Sequence, residues 1–233
     1  MAEASSSTVF DFFGVTISQK NALFMLNGVG MTLFCSALGI ALGMVIAVAI
    51  CLCRLSKNRF WRGFGAFYVS FFRGVPLLVQ LMLVYYLLPF IGIDLPPLVA
   101  AVLSLAICTA AYQAENLRGG FLIIPHGHAE AARAFGLTPW QARRYILIPQ
   151  ALRASMPALI NEMILILKAS SLISVVGVTD IMRVSQGLVA ATIRPIQWYT
   201  LAALIYLIIN LIIAGIGAYA ERRLGRGMAK AIA

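Results

Sequence analysis

The sequence predicts an all-α integral membrane protein with five transmembrane helices, and three observations carry that prediction. Apolar residues fill 61% of the 233 positions and charged residues 11%, against roughly 25% charged in a soluble domain. Several uncharged runs reach or exceed the roughly 20 residues that cross a bilayer as a helix. The bases stand in short clusters at the ends of those runs, as membrane topology signals do. Eight acids and eighteen bases cannot coat a soluble globule of 25.2 kDa, so a free soluble enzyme, a disordered tail and a disulfide-knit module are excluded. The net charge of +10 is too scattered for a stripe that tracks phosphates, and no nucleic acid is expected as a partner.

The first apolar run, Asn21 to Cys53, is longer than one span needs. A broken or interfacial start is expected around Asn27, Gly28 and Gly30, with the span proper over 31–53. Gly39 and Gly43 form a small-xxx-small pair that allows another helix to come close. The second span is expected over 64–91, with Arg73 inside it and a break at Gly74-Val75-Pro76. A short loop holding Asp94 and two prolines leads to the third span, 98–116. The stretch 117–154 is too polar to cross. The fourth span, 156–178, is interrupted by Glu162 and Lys168, and a mixed segment leads to the fifth, 198–220. The whole reads as one transmembrane domain over 1–233.

Thirteen bases fall on one side of this arrangement: Arg54, Lys57, Arg59 and Arg62; Arg118, Arg133, Arg143, Arg144 and Arg153; Arg222, Arg223, Arg226 and Lys230. Three fall on the other, Lys20, Arg183 and Arg194. The positive-inside rule then puts the C-terminus and the 117–154 loop in the cytoplasm and the N-terminus outside. The opening MAEASSSTVFDFFG lacks a basic start followed by an apolar core, so it is not expected to be a cleaved signal peptide. The stretch VFDFFGVTISQKN mixes apolar and polar positions and suits either an amphipathic segment on the outer membrane surface or a solvated tail. Cys35, Cys51, Cys53 and Cys108 all lie inside apolar runs, and His126 and His128 are distant. No zinc set is visible, and the cysteines read as small membrane-core residues.

A polar loop of this length in a compact membrane protein has its own structure and a task. One helix is expected over about Ala129 to Phe135, with Gly136 as its C′ stop. A second begins at Thr138, with Pro139 at its first position and Gln141 completing a capping box. The product is a helical elbow standing off the membrane, with Ala131, Ala132 and Phe135 as a docking surface. On pattern alone an amphipathic hairpin lying in the interface fits as well.

Over the same residues runs EAA, three residues, Gly, nine residues and I-x-I-P, carried by Glu130, Ala131, Ala132, Gly136, Ile146 and Pro149. This resembles the signature of transmembrane subunits of bacterial ABC importers, with Ile148 where that pattern prefers leucine. Three more segments, FFRGVPLLVQ, AYQAENLRGG and NEMILILKASSLISVVGVTDIMR, resemble the branch that carries polar amino acids and opines. The resemblance covers the chain from Gly28 onward. It implies a coupling elbow (Glu130, Ala131, Ala132, Phe135, Gly136) docked in a groove of a separate ATPase subunit. It further implies a second permease subunit, the same chain or a paralogue, an extracytoplasmic binding protein, and residence in a bacterial inner membrane. The chain contains no G-x-x-x-x-G-K-[ST], so ATP and Mg are expected in the partner ATPase, with no cofactor, metal or catalytic residue here.

Charges in hydrocarbon are costly and mark candidate sites. Arg73 reads as a donor to carbonyls freed at the chain break. Glu115 and Arg118, three apart, read as a pair on one helix face. Glu162 and Lys168, six apart, stand about 9 Å along the axis and roughly 120° around it, which does not favour mutual neutralisation. They suit a ligand bearing a separated cation and anion, or partners on neighbouring helices or a second subunit. By resemblance, Lys168 matches a residue that meets a substrate α-carboxylate, and Glu162 an acid found in some importers of basic amino acids. Ser170, Ser171, Gln80 and Tyr112 are further candidate contacts. The expected function is a permease subunit of an ATP-driven importer for a polar, basic-leaning amino acid or opine. The alternatives are an acidic or neutral amino-acid substrate in the same role, or a stand-alone secondary transporter, which would need coupling-ion ligands and usually a repeat.

Overall fold

The computed structural model describes residues 8–12 and 15–225. It opens with a two-stranded antiparallel hairpin, β1 (Thr8–Phe12) and β2 (Val15–Ser18). The stretch takes up strand structure, in keeping with Val15, Thr16, Ile17 and Ser18, which alternate apolar and polar at strand period. All other regular elements among the described residues are helical. They are α1 (Gln19–Leu55), α2 (Arg59–Gly74), α3 (Leu77–Met82), α4 (Pro97–Leu122), α5 (His126–Ala134), α6 (Pro139–Ala142), α7 (Ile148–Ala169), α8 (Ile181–Thr192) and α9 (Pro195–Gly225). Among the described residues α1, α4, α9 and the continuous run Pro139–Val176 are long and apolar enough to span, and Arg59–Gly74 with Leu77–Ile91, bent by 103° at the break, forms a broken fifth span or a re-entrant loop.

The expected break near Asn27, Gly28 and Gly30 does not occur. α1 is one helix of 37 residues, about 55 Å long where a bilayer core is about 30 Å. Tertiary contacts outweigh the glycines, each of which costs a helix about 1 kcal/mol. Met25 and Val29 pack against Ile181 and Ala202. One turn on, the Thr32 hydroxyl donates to the Gly28 carbonyl at 2.9 Å and accepts the Ile181 N–H at 3.2 Å.

The second span is broken where expected. Asn58 caps α2 by accepting the Phe60 N–H at 2.9 Å. Ahead of Pro76, Val75 is extended (φ −93°, ψ 130°), because the proline ring disfavours a helical residue before it. After α3 the chain loosens through a π turn, Leu83–Leu87, and a 3-10 turn, Leu88–Ile91, before Gly92 turns it at φ +82°. The third helix, α4, continues past the expected end at 116 to Leu122 and takes up the start of the loop.

The described residues form two compact units, each built from separate stretches of chain. One comprises the chain up to Gly39, Leu77–Leu105 and Ile166–Leu211; the other comprises Ile40–Pro76, Ala106–Leu165 and the chain from Ile212. The first unit's core gathers Met25, Ile181 and Ala202, with Trp198 in a neighbouring cluster. The Trp198 indole N–H donates to Thr192 Oγ1 at 2.8 Å. In the second unit, small residues set the spacing. Ala47, Cys51, Ala110, Ala114 and Leu159 share a core, and a Cβ on Gly43 would lie 3.0 Å from the Ala106 carbonyl oxygen on α4. Gly120 likewise leaves no room for a Cβ against Ala151 and Ser155 of α7. Contacts this close replace the hydrophobic driving force that apolar helices lack in lipid.

Candidate functional site

The elbow forms as its capping residues dictate. α5 ends at Ala134, Phe135 caps it, and Gly136 adopts φ +78°, a left-handed conformation that costs a residue with a Cβ about 1–2 kcal/mol. Thr138 Oγ1 accepts the Gln141 N–H at 3.3 Å, and Gln141 Oε1 accepts the Thr138 N–H at 2.8 Å, completing the capping box. The second helix does not end before the membrane, as the expected loop of 117–154 requires, but continues into the fourth span. Pro149 would clash with the carbonyl four residues back, and the wider π turn at Arg143–Leu147 absorbs that misfit. A hydrogen bond of 2.6 Å between His128 Nδ1 and Gln150 Oε1 ties α5 to α7.

The expected docking surface needs one correction. Ala132 is only 2% exposed and packs inside the elbow, whereas Glu130, Ala131, Phe135 and Gly136 are open. Phe135 is 87% exposed, and Trp140 and Tyr145 are also bare. The sequence motif does not single out these last two aromatics, although both stand in the polar elbow. Helical phase separates Ala132 from Ala131 by about 100°, which is why one alanine faces in and the other out.

Among the intramembrane charges, Glu115 pairs with Arg118 as expected, with Arg118 Nε donating to Oε1 at 2.9 Å. Arg54 of α1 joins them at 3.5 Å. This cluster braces α1 against α4 and is architecture.

Arg73 makes a contact that the expectation did not include. Its guanidinium lies over the Tyr112 ring, 5.1 Å from the centroid, a cation–π geometry. Its charge also acts on Glu162, and the charge of Glu162 acts on Tyr112. Glu162 is 5% exposed and has no ion-pair partner within salt-bridge distance among the described residues. The second unit thus holds an acid, a base and a phenol together. A base inside a span is the available signal for Arg73, and the neighbouring chain break masks it.

Helix register explains the grouping. Gly120 lies beside Ala151 and Ser155, Asn116 Nδ2 donates to the Ala158 carbonyl at 3.3 Å, and the next turn brings Tyr112 to Glu162. α4 and α7 therefore run antiparallel, with their polar positions matched turn by turn.

The other candidates lie in the first unit. Lys168 is exposed, with no ion pair among the described residues. Beyond it, Ser170 and Ser171 donate to the Leu167 and Lys168 carbonyls at 2.7 and 2.9 Å, and Ser170 is fully buried. Gln80 is buried in α3. The first unit also contains a buried network that no sequence motif announces. Asp180 caps α8 by accepting the Arg183 N–H at 2.8 Å, and Tyr206 Oη lies 3.4 Å from its other oxygen. Burial pushes the Asp180 carboxyl up to about 6, against the lowering effect of those hydrogen bonds. A groove of about 380 Å³ between α1 and α9, lined by Met25, Val29, Ile205 and Ile209 among others, is wholly apolar and offers nothing to orient an amino acid. No group of three or more His, Cys, Asp or Glu suited to a metal occurs among the described residues.

Comparison with known proteins agrees with this geometry. Residues 39–226 match the family described as binding-protein-dependent transport system inner membrane component. The chain is 36% identical over 213 residues to the arginine transport system permease protein ArtQ of Bacillus subtilis (strain 168), covering 91% of this chain and 96% of that protein. It is 40% identical to the octopine transport system permease protein OccM of Rhizobium meliloti, covering 84% of each. Among solved structures, a crystal structure of an amino acid ABC transporter with histidines matches with a TM-score of 0.83 and 36% identity, over 88% of this chain and 95% of that one.

Proposed function

The chain belongs to the family of binding-protein-dependent transport system inner membrane components, and from that premise we propose that it is the permease subunit of an ATP-driven importer of polar amino acids or opines. Relatives named for arginine and octopine transport support the substrate class. The observation that carries the mechanism is the elbow: a rigid, capped turn with bare Phe135 and Trp140, continuous with the helix that bears Glu162 and Lys168. The elbow's second helix and that helix are one continuous helical run.

In this reading the C-terminus and elbow are cytoplasmic, following the excess of bases on that side. Two permease subunits line the path, and an extracytoplasmic binding protein delivers substrate. ATP and Mg are held by a separate pair of ATPase subunits, so this chain is not itself an enzyme. Exposed aromatics beside small residues suit a groove on such a partner. The ATPases' closure then shifts the elbow and with it the substrate site. Lys168 meets the α-carboxylate, while Glu162 faces the substrate's side chain, competing there with Arg73. Ser170, Ser171, Gln80 and Tyr112 supply polar contacts. A cationic substrate supplies the close counter-charge that Glu162 lacks, and a neutral one leaves it with the more distant charge of Arg73.

Affinity isolation of the intact complex from its own membrane tests the assembly. The expected result is stoichiometric recovery of a polypeptide carrying a Walker A loop, lost when Phe135 and Trp140 are both changed to serine. Isolation of the chain without any such polypeptide, in a form that transports unaided, would refute the reading.

A further inference from the structure

Gln113 is fully buried in α4, yet neither end of its amide has a hydrogen-bond partner among the described residues. Thr109, one turn earlier and equally buried, has an unpartnered hydroxyl as well. An unmet buried polar group is expensive, and a hydrocarbon side chain of the same shape would avoid that cost. Helices α4 and α7 contribute Ala110, Ala114 and Leu159 to an apolar core, and no hydrogen bond among the described residues uses the Gln113 amide. The antiparallel register of α4 and α7 points elsewhere. Continued from Gly120 beside Ala151 and Ser155 and from Asn116 bonded to Ala158, it sets the turn of Tyr112 and Gln113 opposite the turn of Glu162.

We propose that Gln113 is a specificity-determining residue of the Glu162 site, presenting one donor and one acceptor to the polar side-chain group of the amino acid carried. The inference rests on Glu162 facing the substrate. Glu162 and Gln113 are both shut from solvent in this state, at 5% and 0% exposure. Any opening that admits a substrate to Glu162 uncovers the facing turn of α4. The unmet amide is then satisfied by the ligand, so binding removes a cost that the closed form carries. An aliphatic substrate gains nothing from it, and a substrate ending in an amide or guanidinium does. Selection therefore comes from a polar group left unpaired when the wrong ligand binds.

The test is uptake by the reconstituted complex of permease, ATPase pair and binding protein, with arginine, glutamine and leucine as probes and the thermal midpoint of the complex measured alongside. Gln113→Met is expected to keep or raise the midpoint. It should raise KM for arginine and glutamine roughly tenfold to a hundredfold and leave leucine unchanged. Unchanged KM values with a lowered midpoint would overturn the inference and make the amide a holder of internal water. Loss of assembly in Gln113→Met, with Gln113→Asn transporting all three probes at the parent's ratios, would overturn it too. Glu162→Gln in the same assay separates the two levels. A shift there without one in Gln113→Met removes Gln113 alone, whereas no shift in Glu162→Gln removes the site reading and the role of Gln113 with it.

Discussion

At the scale of single residues, Glu162 and Lys168 differ in what surrounds them. The acid is buried beside Arg73 and Tyr112, and the base is exposed and unpaired among the described residues. Replacing one member of a buried charge pair by a neutral group costs about 2–5 kcal/mol. Glu162→Gln should therefore weaken uptake of arginine strongly and of neutral amino acids less, while Lys168→Met should impair every amino acid, since each has the carboxylate. Equal losses across a substrate panel in Glu162→Gln would make that acid structural. Asp180 gives a separate residue-scale expectation. Its folded value of about 6 lies above the 3.8 of a free carboxyl, so the folded state binds the proton more tightly. Stability should then fall as pH rises from about 4 to about 6, by on the order of 2 kcal/mol from this group. Thermal midpoints of parent and Asp180→Asn across that range check the sign, with the variant losing the fall. Asp180 was not legible as a site because a lone acid next to a helix start reads as an ordinary N-cap, and its burial comes from α1 and α9, far off in sequence.

At the scale of elements, the elbow was the most legible part of the chain because its signals are local. Gly136, Thr138, Pro139 and Gln141 each demand a specific backbone geometry, and each adopts it. The burial of Ala132 was not legible, because it depends on how α5 folds against α6 and the π turn after it, and the continuity of the second helix with the fourth span was masked by Pro149. Space around Gly136 is open, with nothing within 4 Å of where a Cβ would stand. Gly136→Asp should therefore cost the isolated chain only about 1–2 kcal/mol yet stop coupled uptake. ATP hydrolysis stimulated by the binding protein, lost while membrane insertion persists, is the measurement. Normal stimulation would separate the elbow from coupling. Gly120 is the converse case: it touches Ala151 and Ser155 directly, and Gly120→Val should force α4 from α7 at about 1–3 kcal/mol or more. Here a lowered melting midpoint with reduced assembly is the expected readout. α1 shows the opposite limit of local reading. Its glycines suggest a break, and packing of Met25, Val29 and Thr32 against α8 and α9 keeps it whole.

At the scale of the whole molecule, composition alone was sufficient for the membrane class, because 61% apolar content with 11% charge leaves no soluble alternative. Four of the five expected crossings are single long helices, and the break in the second expected span followed from Pro76. What joins Arg73, Tyr112 and Glu162 is the pairing of α2, α4 and α7, which no single stretch of sequence encodes. The central claim is that this chain moves a polar amino acid only as the membrane part of an ATP-driven assembly. The direct measurement is accumulation of labelled arginine and glutamine in proteoliposomes, comparing the chain alone with the complex of permease, ATPase pair and binding protein, with and without ATP. Accumulation only in the full complex with ATP is the expected result. Accumulation by the chain alone, driven by an ion gradient and indifferent to ATP, would contradict the account.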